Sequence, residues 1–356
     1  MGGGPLDQEE RLLCILPFDE PKEITARLRE KFPKLSISFI NMGSMTDEDV
    51  YRDKTILATL SALPPNPADC PELELIHVFS AGTNHISKHP IYTDTKITLT
   101  TSSGVHGPQI AEWVLMTALV HSHKYNRLYE LQKQHQWGRP QVGGDYHSVR
   151  DMVDQRLGVL GYGSIGRQVG RVAKAMGMDV VAYTATPKDT PEKKRDNGFI
   201  VPGTGDPDGE FPSSWFSGLD KASLHQFLKQ DLDYLVISVP LTKETTHLLG
   251  KDEFDILKKK QTFLTNISRG AIVDQPALVA ALKEGKLRGA ALDVADPEPL
   301  PSDNPLWSAP NVIITPHISG VGTAYNERAF AILELNLLRK QLGEKLVNVV
   351  NRKRGY

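Results

Sequence analysis

Cysteine is scarce: Cys14 and Cys70 are the only two in 356 residues, too few for a disulfide framework. With no charged-then-apolar leader at the start, the expectation is a reducing, cytoplasmic setting. Long hydrophobic runs are missing too. The most apolar stretch, residues 110–120, includes Glu112 and falls well short of the roughly 20 residues a membrane span needs. The opening Met1-Gly2-Gly3-Gly4-Pro5-Leu6 lacks the Ser or Thr an acylation signal wants at its sixth position, so it reads as a flexible terminus. Neither charge dominates, with 41 Lys and Arg against 43 Asp and Glu, and a net charge of -2 supplies no basic field for nucleic acid. The histidines are scattered and the cysteines isolated, which excludes a metal-ligand set by spacing. What remains is a globular composition, 40% hydrophobic and 24% charged, in a chain long enough for two domains.

Short β-branched and Leu-rich runs alternate with helical patterns. Residues 12–16, 35–40, 55–60, 75–79 and 97–100 read as buried strands, and after a long helical stretch at about 108–137 the strands resume at 157–160, 180–183, 234–239, 262–267, 290–294 and 312–315. Alternating βα units imply parallel sheets covered by helices on both faces, hence an α/β protein with two such units. A Pro- and Gly-rich stretch, 187–218, interrupts the rhythm and reads as a loop or excursion without a chemical role. His121 and His123, two apart on the long helix, read as surface residues. The last helical pattern, 323–342, carries Ala329, Ile332, Leu333, Asn336 and Leu337 near one face and is expected to pack back on the first domain.

The clearest motif is Gly161-Tyr162-Gly163-Ser164-Ile165-Gly166, which follows a predicted strand and opens a predicted helix. Alone such a motif is a tight turn. In a βαβ setting Gly161 makes the turn, Gly163 admits a pyrophosphate, Gly166 lets helix and sheet approach, and the N–H groups of Ser164 and Ile165 at the helix start face the phosphates. An NAD site places an acid at the end of the next strand to accept from the ribose hydroxyls, but here that position is Thr184. Thr184, Thr186 and Lys188 offer hydroxyls and a cation to a 2′-phosphate, so NADP is favoured with NAD as the alternative.

Arg269, Glu298 and His317 each stand just past the end of a predicted strand, where open parallel sheets put their ligands. Singly they read as a surface ion pair, a turn acid and an ordinary histidine. Their joint placement at the cofactor end of one sheet tells against those single readings. A guanidinium holds a carboxylate in a fork that lysine cannot reproduce.

With these motifs in order, the chain resembles the D-isomer-specific 2-hydroxyacid dehydrogenases from about residue 55 to its end. The resemblance implies two doubly wound parallel-sheet domains: a flavodoxin-like substrate domain over 1–103, completed by 325–356, and an inserted Rossmann domain over 104–324, with the active site in the cleft. It implies that Arg269 binds substrate, His317 is the acid/base and Glu298 orients it, roles that suit reduction of a 2-oxo acid, where negative charge on the carbonyl oxygen calls for a proton donor and a fixed cation. It also implies that the loop Ser80-Ala81-Gly82-Thr83 and Ser61 grip the substrate. Asp293 would bind the nicotinamide amide, and Val239, Pro240, Ile267, Ser268 and Gly320 would line the cofactor. The activity implied is reduction of a 2-oxo acid such as glyoxylate or hydroxypyruvate, in a homodimer built on the 108–137 helix, with Trp137 near the neighbour's cleft. Two other readings share the architecture. One is formate dehydrogenase, disfavoured because Glu298 stands where that enzyme carries Gln; the other is a nucleotide-sensing corepressor-like regulator.

Overall fold

The computed structural model describes residues 9–44, 49–138, 147 and 149–352. The glycine-rich start lies outside the described residues, as do the last four residues of the basic C-terminal stretch. The chain forms two compact units. The first takes the chain up to Val105, then Asn197–Val201, then everything from Gly322 onward; the second comprises His106–Asp196 and Pro202–Val321.

In the first unit, strands β1 (Glu10–Leu16), β2 (Leu35–Asn41), β3 (Ile56–Thr59), β4 (Leu75–Val78) and β5 (Thr98–Thr101) make a parallel sheet in the order β2-β1-β3-β4-β5. This is the flavodoxin order. Successive side chains of a strand point to opposite faces, and both faces are buried here. Leu12, Cys14 and Leu16 join Ile56, Ala58 and Leu75 on one side, while Leu13, Ile15, Leu57 and Ile76 lie on the other. The final helix, Tyr325–Gln341, lays Ala329, Phe330, Leu333 and Leu337 against the first of these faces. Its Asn336, fully buried, accepts from the Val347 N–H at 2.8 Å and donates to the Val347 carbonyl at 3.2 Å, which ties the segment after the helix to it.

The second unit holds β6 (Arg156–Leu160), β7 (Asp179–Thr184), β8 (Pro212–Ser217), β9 (Tyr234–Ile237), β10 (Phe263–Asn266), β11 (Gly289–Leu292) and β12 (Val312–Ile314), all parallel, in the order β12-β11-β10-β9-β6-β7-β8. Strand order reverses between β6 and β9, the Rossmann arrangement, and that reversal opens a crevice at the carboxyl ends. No helix among the described residues is long and apolar enough to cross a membrane.

Three expectations need correction. The helical stretch 108–137 is two helices, Gly107–Ser122 and Tyr125–Lys133, because Lys124 turns left-handed at φ 55° and breaks the hydrogen-bond ladder. The Pro/Gly-rich stretch ends in a strand: β8 is an edge strand, and its first residue, Pro212, is the position where a missing N–H is tolerated. Within the same stretch Phe199 packs with Val105, Ile332 and Val347 of the first unit. His121 is not a surface residue. It stacks on Phe263 with ring centroids 4.5 Å apart, and burial pushes its pKa down to about 4, helped by Lys124 and Arg288.

Candidate active site and dinucleotide turn

The turn after β6 has the three distinct glycines its chemistry requires. Gly161 sits at φ +104°, and a Cβ there would lie 2.6 Å from the Ser238 carbonyl at the end of β9. Its N–H and that of Tyr162 both donate to the Tyr183 carbonyl at 3.0 Å, fixing the turn on β7. Gly166 packs so closely under the Gly161 carbonyl and Val159 that any Cβ would collide. Gly163 is the opposite case, with nothing within 4 Å of a Cβ position, and it caps helix Ser164–Ala175 without any side-chain hydrogen bond. Open space in front of an uncapped helix start is what a pyrophosphate needs, so these residues fit a dinucleotide.

At the end of β7, Thr184 donates its hydroxyl to the Thr186 carbonyl at 2.8 Å, and Thr186 is exposed. Asp179 starts the strand and pairs with Arg156 at 2.7 Å, so it is at the end of β7 away from Thr184. Lys188 is half-buried, and burial first, then Arg167, lowers its pKa. At the ends of β9 and β10, Ser268 donates its hydroxyl to the Val239 carbonyl, Pro240 accepts from the Thr245 hydroxyl at 2.7 Å, and the Ile267 N–H reaches the Ile237 carbonyl at 3.4 Å. Val239, Pro240, Ile267 and Ser268 are thereby brought together at neighbouring strand ends.

Glu298 and His317 meet directly, with Glu298 Oε2 2.9 Å from His317 Nδ1. An ionised carboxylate only accepts, so Nδ1 carries the proton and Nε2 is left for a ligand. The other Glu298 oxygen accepts the Ala295 N–H at 3.0 Å, which stops the carboxylate from turning away. His317 has φ 55°, an uncommon conformation for a side chain with a Cβ. Its N–H donates to the Asp293 carbonyl at 2.8 Å, and the Asp293 carboxylate, in a residue 1% exposed, holds the rest of the turn. It accepts from the Thr315 hydroxyl (2.5 Å), the Ile318 N–H (2.9 Å), the Ser319 N–H (2.9 Å) and the Ser319 hydroxyl. Four donors occupy the acceptor sites of a carboxylate, so in this geometry Asp293 is engaged by the 315–319 turn. Gly320 closes that turn, and its carbonyl accepts from Gln109 at 3.0 Å.

Arg269 follows β10. Its guanidinium bonds the Ser268 carbonyl at 2.7 Å and makes no ion pair among the described residues. Asn266 braces the backbone around it, donating to the Arg269 carbonyl (2.9 Å) and accepting the Ser268 N–H (3.1 Å). Gly270 then lies so close to Ala295 and Asp296 that a Cβ would overlap their backbone. The loop bearing Arg269 is thereby packed on the loop bearing Glu298. Gln275 holds that second loop from the other side, accepting the Asp296 N–H at 3.2 Å and donating to its carbonyl. Sequence reasoning missed Gln275 and Gly270. Gly270 directly follows Arg269, already a candidate, whereas Gln275 carried no signal, since its role depends on a contact 21 residues away.

The remaining candidates belong to the first unit. Thr59 at the end of β3 accepts the Ala62 N–H at 2.9 Å, shaping the bend at Ser61, whose hydroxyl lies 3.8 Å from Met42 Sδ. After β4, Ser80 donates its hydroxyl to the Gly82 carbonyl at 2.7 Å, and Thr83 is buried. The Ala81 and Gly82 N–H groups have no partner among the described residues. His85 bridges the two loops through the Leu60 carbonyl at 2.8 Å.

The model for the NAD-binding domain of D-isomer-specific 2-hydroxyacid dehydrogenases matches residues 115–201 and 210–319, more than half of the chain. The chain belongs to that family. Among the family's curated proteins it is 34% identical over 221 residues to a D-3-phosphoglycerate dehydrogenase of Methanocaldococcus jannaschii, a match covering 62% of this chain and 36% of that one. It is 29% identical to a glyoxylate reductase of Thermococcus gammatolerans, over 80% of this chain and 78% of the other. The chain therefore spans only about a third of the first relative's length. Among solved structures, a family member from Xanthobacter autotrophicus Py2, in complex with NADPH and MES, superposes with a TM-score of 0.75 at 25% identity, covering 98% of this chain and all of that one. The second unit is thus the dehydrogenase family's nicotinamide-dinucleotide domain, built on the glycine turn described above.

The tight fit of Gly270 makes a direct prediction. Gly270→Ala must push the Arg269 loop off the Glu298 loop, and misplacement of about 1 Å at a reacting centre costs on the order of 100-fold. Steady-state kinetics with 2-oxo acids should show that loss in kcat/KM with the protein still folded by circular dichroism. Wild-type efficiency would show that the loops separate freely.

Proposed function

We propose that this protein is an oxidoreductase that moves a hydride between a nicotinamide coenzyme, NADPH by preference, and a small 2-oxo acid or D-2-hydroxy acid of the glyoxylate or hydroxypyruvate kind. The observation that carries the reading is the 2.9 Å contact of Glu298 with His317 Nδ1, on a loop packed against the one that bears Arg269, whose guanidinium makes no ion pair among the described residues. The glyoxylate reductase relative and the NADPH-bound structural neighbour favour the same reading.

In this reading the second unit binds the coenzyme and the first unit contributes the substrate loops. Hydride transfer itself is the coenzyme's chemistry. Arg269 binds the substrate carboxylate and carbonyl with its fork. His317 in its imidazolium form gives the Nε2 proton to the carbonyl oxygen as negative charge builds there, and Glu298 stabilises the cation while it lasts. The Asp293 carboxylate keeps His317 in its left-handed position. A reducing compartment such as the cytoplasm suits Cys14 and Cys70, both buried and free.

Substitution separates the roles. His317→Gln should lower kcat by roughly 100- to 10,000-fold with little change in coenzyme affinity, whereas Arg269→Lys should raise the Michaelis constant for the 2-oxo acid as well as lowering turnover. Wild-type rates in the His317 variant would remove that residue from the mechanism.

We read the self-association surface from the helices Gly107–Ser122 and Tyr125–Lys133. Met116, Tyr125 and Tyr129 are about half exposed, and Trp137, just beyond, is 94% exposed. That much unburied aromatic surface fits a homodimer face. Sedimentation at micromolar concentration should give a dimer, and a stable monomer there would defeat the assignment.

Coenzyme preference rests on the absence of an acid at Thr184. A retained contact to the 2′-phosphate is worth about tenfold in efficiency for NADPH over NADH. Thr184→Asp should reverse the order, because the carboxylate repels the phosphate and accepts from the ribose hydroxyls of NADH. Lys188→Ala should weaken NADPH alone. Equal efficiencies for the two coenzymes in the unaltered protein would refute the preference.

A further inference from the structure

Beyond Lys188 the stretch between β7 and β8 has no part in the chemistry above, yet side chains of the dinucleotide turn and its helix spend their polar groups on it. Tyr162, between Gly161 and Gly163, is 2% exposed and donates its hydroxyl to Asp206 Oδ2 at 2.9 Å. Asp206 is equally buried. Its carboxylate also accepts the N–H groups of Glu210 (2.9 Å) and Phe211 (3.2 Å), so the acid organises its own loop while binding the tyrosine. Arg167, 3% exposed, donates to the carbonyls of Asp206 and Lys194 and lies over the Tyr162 ring at 5.5 Å. Gln168 accepts the Gly205 N–H at 2.6 Å. Trp215 of β8 meets the Tyr162 ring edge-on at 5.1 Å, and Gly170 leaves the room that the tyrosine hydroxyl fills.

Buried polar groups are tolerated only when paired, so this network admits few arrangements. Its centre is the one residue of the glycine turn that has a large side chain.

We infer that Asp206 is a positioning residue for coenzyme binding: through Tyr162 it pins the Gly161–Gly163 turn, and with it the uncapped N–H groups of Ser164 and Ile165, in the geometry that receives the pyrophosphate. The inference rests on the reading of that turn as a dinucleotide site. It assigns the stretch a function that differs from coenzyme discrimination. The pyrophosphate is common to NADPH and NADH, so loosening the turn weakens both by one factor, whereas a change at Thr184 or Lys188 acts on the 2′ end and divides them.

The test uses Tyr162→Phe and Asp206→Asn beside the unaltered protein. Calorimetric titration gives Kd for NADPH and NADH, kinetics at saturating coenzyme give kcat, and a thermal melt reports folding. Loss of a hydrogen bond to a buried carboxylate should raise both dissociation constants by the same factor, about five- to tenfold, with kcat at saturation within about twofold. A lowered melting temperature with both Kd values unchanged would mean a purely structural network and overturn the inference. So would weakening of NADPH alone, which would put the cluster at the 2′ end. Should Asp206→Asn fail to fold, Tyr162→Phe, which removes a single hydroxyl, decides the matter. Failure of the unaltered protein to bind either coenzyme would instead defeat the dinucleotide reading itself.

Discussion

Every strand of the second sheet runs in the same direction, so every strand end that carries chemistry emerges at one edge. Parallel pairing requires a crossover after each strand, and the reversal between β6 and β9 sends those crossovers to opposite faces. The glycine turn after β6, Thr184 at the end of β7, Val239 after β9, Arg269 after β10 and Asp293 after β11 are therefore neighbours along one rim, although more than a hundred residues of chain separate the first from the last. The register of β9, β10 and β11 is in phase over four residues each, and this brings the Ser268 hydroxyl to the Val239 carbonyl and Gly270 onto Ala295.

Loops at such a rim need internal supports, and two buried carboxylates supply them by the same physics. Asp293 accepts four hydrogen bonds from the turn around His317, and Asp206 accepts three from Tyr162 and its own loop. A buried carboxylate without donors is strongly unfavourable, so each turn is drawn into the one shape that satisfies its acid. The left-handed backbone of His317 is stable only because that shape includes it. Glu298 differs: its side chain is 39% exposed, with one oxygen held by the Ala295 N–H and the other facing His317 Nδ1.

Much of this was legible along the chain. The alternation of short apolar runs with helical patterns showed an α/β protein with two parallel sheets, because strand and helix periodicities are local. The three glycines of 161–166 were legible for a similar reason: a strand, a tight turn and a helix in sequence restrict which residues fit. Local rules failed where two local signals competed. Five prolines and several glycines in 187–218 spoke for a loop, yet Pro212–Ser217 pairs with β7, since an edge strand tolerates a proline at its start. Helical periodicity continued through 123–124, but Lys124 breaks the helix.

The sequence by itself determined the kinds of chemistry present, namely a cation, a carboxylate, a histidine and a phosphate-binding turn, because residue type sets charge, proton affinity and steric room. It could also order them along the chain, and from that order came the resemblance to the dehydrogenases. Only the tertiary structure decided which groups are free to act. That Asp293 is engaged by four donors, that Arg269 has no carboxylate partner among the described residues, that Gln275 braces the Glu298 loop and that Tyr162 is bound to Asp206 are consequences of contacts between residues up to 44 positions apart. Such contacts form by burial and hydrogen-bond satisfaction in the folded chain, and no periodicity or motif encodes them.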